Sequence, residues 1–164
     1  MADAPIVKGY VPGSIGRVAE LHGAFYARHQ GFGAFFEAKV ASELAEFVRR
    51  YDASRDGFWT ASLEGRVEGA VVIDGIRGRD EGAHLRWFIV SDAWRGRGLG
   101  GRLLETGIEW CRQCGYANIH LWTFAGLDAA RHLYEKAGFT LTEQRVGKQW
   151  GTEVLEQRFD LWVG

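Results

Sequence analysis

The chain is poor in proline and cysteine, with 2 of each in 164 residues. So few prolines leave no room for a proline-rich linker, and no low-complexity tract or internal repeat breaks the sequence. Two cysteines exclude a disulfide framework. They stand as a lone C-x-x-C, Cys111 and Cys114, with no second pair to complete a four-ligand zinc site, and so read as two small residues near a helix end. No metal is expected. Long apolar runs are missing too, and none approaches the roughly 20 residues that cross a bilayer. The start, Met1-Ala-Asp-Ala-Pro-Ile, lacks the basic residue and apolar stretch of a signal peptide, so the expectation is a cytoplasmic protein with no membrane partner. A formal net charge of -1 gives no electrostatic ground for nucleic acid as a partner. One domain over residues 1–164 is expected, long enough to bury a core without staples.

What is abundant is glycine, 23 residues, and tryptophan, 7 residues. Ile6 to Val11 reads as a first strand ended by Pro12-Gly13, with Ser14 as a helix cap. Ile15, Val18, Leu21, His22, Phe25 and Tyr26 recur at helical spacing, as do Phe36, Val40, Leu44, Phe47 and Val48 in a helix over 34–50. Strands are predicted at 58–63, 67–76 and 83–90, with a glycine-rich loop over 75–82 between the last two. A helix to about Cys114, a strand over 117–124, a helix over 127–137 and a final strand pair, 139–145 and 154–162, complete the order β-α-α-β-β-β-α-β-α-β-β. Helices interleaved with strands make the fold α/β or α+β with a mixed sheet.

The strongest chemical signal is Arg95-Gly96-Arg97-Gly98-Leu99-Gly100-Gly101-Arg102, placed between a strand and a helix. Glycine lets the backbone approach a bulky anion, and helix N-terminal amides with their dipole favour phosphate. The three arginines add charge at the same place. The cluster falls past mid-chain behind antiparallel strands, unlike a dinucleotide-binding unit, and no Gly-Lys-Ser/Thr follows as in a P-loop. Taken alone, it also admits a purely structural turn, although phosphate binding is the leading reading.

Two motifs together point to a family. Arg95-x-x-Gly98-x-Gly100 resembles the R/Q-x-x-G-x-G/A signature of the GNAT (GCN5-related N-acetyltransferase) family, and Leu133-Tyr134-Glu135-Lys136-Ala137-Gly138-Phe139 resembles its L-Y-x-x-x-G-F element. More narrowly, Gly82 to Val90, Leu121 to Phe124 and Glu156 to Phe159 resemble the catalytic half of bacterial fusions of a MarR-type domain with a GNAT domain. The DNA-binding half has no counterpart here. The resemblance implies a mostly antiparallel sheet of about seven strands with about four helices, the fourth and fifth strands splayed. It implies acetyl-CoA as co-substrate, its pyrophosphate on the amides of Gly96 to Gly101 among Arg95, Arg97, Leu99 and Arg102, and its pantetheine along Phe88, Ile89 and Val90. The acceptor would be an amine, on a small molecule or a protein, attacking directly in a ternary complex. Homodimers are common in the family.

By the same resemblance Tyr134 is the general acid toward the coenzyme A sulfur, and the Val90 N–H is the oxyanion donor. His84 stands where some relatives place a base, sharing by simple alternation one strand face with Arg86, Phe88 and Val90. His120 and Glu153 are further candidates. Trp122 occupies the position of a glutamate base in other members, and Leu127 stands where an asparagine often binds pantetheine. The acceptor pocket is expected among Tyr26, His29, Phe32, Phe35, Glu37, Trp59, Trp87, Trp122 and Trp150. A non-catalytic acyl-CoA-binding module of the same fold, and a longer acyl donor, remain alternatives at this point.

Overall fold

A computed structural model describes residues 3–164. Its element order is β1 (Ile6–Lys8), α1 (Ser14–Gln30), α2 (Ala34–Arg49), β2 (Gly57–Leu63), β3 (Arg66–Asp74), α3 (Gly78–Glu81), β4 (Ala83–Val90), α4 (Leu99–Cys114), β5 (Asn118–Phe124), α5 (Asp128–Ala137), β6 (Thr140–Gly147) and β7 (Val154–Trp162). The order read from the sequence holds, with local differences. β1 ends at Lys8 rather than Val11. The glycine-rich loop contains the four-residue helix α3, so there are five helices rather than about four. Ser14 is the first helical residue rather than the cap; Gly13 caps α1 at φ 90°, and the Ser14 hydroxyl bonds back to the Val11 backbone.

The strands form one seven-stranded sheet in the order β1-β2-β3-β4-β5-β7-β6. Every pairing is antiparallel except β4 with β5. Helices cover both faces. On one, α4 buries Leu99, Leu103, Leu104, Ile108 and Cys111, the stripe its 3.6-residue period lays down, against Val71, Ile73, Leu85 and Leu121. Each such aliphatic side chain contributes about 1.5–3 kcal/mol on leaving water. On the other face α1 and α2 set Val18, Leu44 and Phe47 on Phe58, Ala70, Val72 and Ile89. Trp59 belongs to the α4 face, edge-on to Trp110 at 6.1 Å.

β4 and β5 pair only at Ala83–Ile119 and His84–His120. β4 then follows β3, and β5 stays paired with β7 as far as Phe124. Each strand keeps its outer neighbour, so the two part into a wedge at the middle of the sheet.

A candidate acyltransfer site between parting strands

A bulge shapes one wall of the wedge. Arg86 pairs with Val72 but Ile89 with Ala70, so β4 carries one residue more than β3. Trp87 takes up the excess at φ 46°, in the left-handed region. The bulge breaks the alternation expected from the sequence. Arg86 reaches Glu43 of α2, and Trp87 packs on Phe47 at 5.9 Å. Phe88 turns to the opposite face, where its ring lies 5.9 Å from that of Tyr134. His84 and Arg86 therefore do not share a face with Phe88 and Val90.

Beyond the bulge the ladder resumes. The Ser91 N–H donates to the Glu68 carbonyl at 2.7 Å. Hydrogen-bonded and non-bonded pairs alternate in an antiparallel ladder, so the Val90 N–H turns away from β3 into the wedge.

The glycine cluster lies at the outer end. Among the described residues, no backbone N–H from Gly96 to Gly101 donates to a protein acceptor. Gly96 and Gly98 have φ of 72° and 84°, and a Cβ on either would meet nothing within 4 Å. Gly100 differs: its Cβ would stand 2.9 Å from Leu133 and 3.2 Å from Phe88, so its lack of a side chain lets α4 settle on β4 and α5. Six free amides on an open concave turn fit a diphosphate. The arginines diverge. Arg95 lies over the Phe25 ring at 4.0 Å and bonds Asp92 at 3.0 Å. Arg97 stacks on Trp94, and Arg102 donates to the Pro5 carbonyl. The Leu99 side chain is buried in the core.

Two cavities meet in the wedge. The larger, about 820 Å³, is lined by Phe88, Ile89, Val90, Arg95, Gly96, Gly100, Leu127 and Tyr134. The smaller, about 160 Å³, is lined by Tyr26, Lys39, Glu43, His84, Arg86, Trp87, Trp122, Trp150 and Tyr134. Tyr26, Phe88, Thr123 and Tyr134 border both. Tyr134 is 7% exposed, and among the described residues its hydroxyl makes no protein hydrogen bond. Burial drives its pKa far above the ordinary tyrosine value, so its hydroxyl stays protonated at any physiological pH. Burial also pushes Tyr26 up to about 12.

The histidines are held neutral. Burial, with Arg86 beside it, lowers His84 to about 3, and its ring stacks on His120 at 4.6 Å. Burial takes His22, on the wall of the smaller cavity, down to about 4. The Val18 carbonyl lies 2.8 Å from its Nδ1, which fixes the proton there and leaves Nε2 as an acceptor. His120 lines neither cavity, and its Nδ1 is buried without a partner.

Several residues expected in the acceptor pocket stand elsewhere. Glu37 lies over Gly23, and Phe35 is 66% exposed beside Gly151. Phe32 packs between Tyr26 and Phe124, and His29 faces the larger cavity. Trp59 is behind the sheet, and Glu153 is exposed in the β6–β7 turn. Lys39, Glu43 and His22, not among the residues expected there, line the smaller cavity. The i,i+4 spacing of Lys39 and Glu43 beside Phe36 and Val40 was the available signal for the first two. That turn is anchored by Glu156, 1% exposed, which accepts from Arg145 and from the backbone and side chain of Gln149, next to Trp150. Leu127 sits at the N-cap of α5 on the larger cavity, where it provides no cap bond.

A splayed parallel pair, an open amide turn and a tyrosine at the junction of two cavities are the features that the GNAT resemblance of the sequence leads one to expect. The sequence model of the Acetyltransferase (GNAT) family matches residues 25–139, and the chain belongs to that family. It is 28% identical over 131 residues to a probable N-acetyltransferase, camello, of Xenopus tropicalis, covering 79% of this chain and 60% of that one. It is 32% identical over 123 residues to the probable N-acetyltransferase family 8 member 5 of Mus musculus, covering 73% and 52%. The chain thus spans about half to three-fifths of these relatives. In fold it is similar to yncA, a putative acetyltransferase from Salmonella typhimurium solved with its cofactor acetyl-CoA: TM-score 0.76, 19% identity, 99% of this chain and 95% of that one. It is also similar to a phosphinothricin acetyltransferase from Sinorhizobium meliloti in complex with AcCoA: TM-score 0.72, 17% identity, 98% and 89%. No helix among the described residues is long and apolar enough to cross a membrane.

Proposed function

We propose that this chain, as one catalytic domain over residues 1–164, moves acetyl from acetyl-CoA to a primary amine by direct attack in a ternary complex. The single observation that carries the reading is the meeting of two cavities at Tyr134 between the parted strands. The larger cavity takes the co-substrate. Amides Gly96 to Gly101 hold its diphosphate, Arg95 adds charge, and the β4 edge from Phe88 to Val90 pairs with the pantetheine as an added strand would. The smaller cavity takes the amine.

The roles of the side chains follow from their chemistry. The Val90 N–H meets the carbonyl oxygen as charge develops on it. The amine nitrogen bonds to the carbonyl carbon, the carbon–sulfur bond breaks, and Tyr134 supplies a proton to the departing sulfur. An imidazole titrating near 3 is too weak to strip an ammonium ion directly. His84 instead orients a water that receives the proton of an amine entering neutral. Cytoplasmic placement and kinship with the catalytic half of MarR–GNAT fusions belong to the same proposal, as does an acetyl rather than longer acyl donor. The fold neighbours solved with acetyl-CoA favour the acetyl donor.

The test is Tyr134→Phe. Thiol release from acetyl-CoA is expected to fall about a hundredfold or more, the usual weight of a general acid. Acetyl-CoA affinity and circular dichroism should be unchanged. Unaltered turnover would remove Tyr134 from the reaction.

A further inference from the structure

The smaller cavity carries its charge on one wall. Lys39 and Glu43 sit one turn apart on α2, Nζ to Oε1 3.0 Å, and Arg86 approaches the other oxygen of that carboxylate at 3.6 Å. Behind them Asp74, 3% exposed, accepts from both ends of the Arg50 guanidinium at 3.0 and 2.7 Å and from Arg86 at 3.3 Å. On the cavity wall itself Lys39 and Arg86 face one carboxylate, Glu43, and every oxygen of Glu43 and of Asp74 behind it already faces a cation. No carboxylate on this wall is free to receive an ammonium ion. The charged side chains that line the cavity, Lys39, Arg86 and Glu43, therefore carry one positive charge in excess, at partly exposed groups. Much of the remaining wall is aromatic, including Phe36, Trp122 and Trp150. At about 160 Å³ the cavity lies below the usual range of ligand pockets and admits only a small acceptor.

We propose that the acceptor is a free aromatic amino acid, its carboxylate on Lys39 and Arg86 and its ring against Trp122 and Trp150. The inference rests on the acetyl-transfer reading above. Its α-amino nitrogen bonds to the acetyl carbon, the carbon–sulfur bond breaks, and the proton lost from nitrogen balances the one gained by sulfur. The products are an N-acetyl amino acid and free coenzyme A. An anionic group on the acceptor lends the cationic wall a partner that a plain amine lacks.

Thiol release from acetyl-CoA with L-tryptophan and L-phenylalanine is to be compared with tryptamine and phenethylamine, at equal concentrations of neutral amine. The amino acids are expected to show kcat/KM at least about tenfold higher. Lys39→Met should raise their KM about tenfold with kcat little changed, while the KM of the decarboxylated amines does not rise, since the change frees an oxygen of Glu43. Equal or better turnover of the decarboxylated amines overturns the inference and leaves acetyl transfer standing, as does a Lys39→Met enzyme with unchanged KM. Acetyl-CoA binding by calorimetry without turnover of either set overturns it as well. Failure to bind acetyl-CoA at all would instead sink the reading beneath it.

Discussion

Trp87 shows how much one residue decides. Its left-handed backbone, rare for a bulky side chain, rotates β4 so that Arg86 serves the α2 side and Phe88 the α4 side. No glycine marks the bulge, and simple alternation therefore predicts the wrong face for the residues beyond it. Tyr134 was readable because its motif fixes a position on α5 and the fold does the rest. His84 was readable as a site-facing residue but not in its protonation, which depends on burial and on Arg86. This gives a pH expectation. With His84 titrating near 3 and His22 near 4, neither contributes a limb to kcat/KM between pH 5 and 9. The profile should rise with pH along the neutral fraction of the acceptor amine alone. A limb near pH 6.5 that vanishes in His84→Gln would show a histidine titrating in the reaction.

Among the elements, the turn into α4 has two kinds of glycine with separate duties. Gly98 faces open space at φ 84°, whereas Gly100 lies against Leu133 and Phe88. Gly98→Val puts a branched side chain in a strained backbone and a bulky group over the amides. It is expected to weaken acetyl-CoA binding about tenfold or more by calorimetry while circular dichroism stays native. Unchanged affinity would mean that the amides do not hold the diphosphate. The strands and long helices were legible because their periodicities run over whole elements; β4 and β7 carry the expected bounds. α3 was not, since four residues inside a glycine-rich stretch give no period to read.

At the scale of the molecule, the sheet order places two partly independent cavities back to back, and long-range geometry governs what the sequence could not reveal. The many aromatics suggested a pocket, but Trp59 meets the α4 side of the sheet and Trp87 the α2 side, which composition does not distinguish. The same burial that shapes the site sets acid sensitivity. His22 and His84 have folded pKa values of about 4 and 3, below their ordinary 6.5, so the unfolded chain binds protons first. Their contribution is intact above pH 6.5 and is lost as pH falls toward those folded values. Each adds a slope of up to about 1.4 kcal/mol per pH unit in that window. Against the opposing effect of burial, hydrogen bonds from Arg50 and Arg158 lower Asp74 and Asp160, and the Gln149 backbone N–H with Arg145 lowers Glu156, which extends the loss to lower pH. Urea unfolding at pH 7, 6, 5 and 4 should show stability falling steadily below pH 6.5, and His22→Gln should flatten the curve. A flat curve in the parent protein would contradict the buried neutral imidazoles.

The most direct measurement is a crystal structure of the chain with acetyl-CoA bound. The diphosphate should lie within hydrogen-bond distance of amides between Gly96 and Gly101, and the thioester should sit between β4 and β5, within reach of the Val90 N–H and the Tyr134 hydroxyl. Co-substrate bound on another surface, or a thioester remote from Tyr134, would contradict the account.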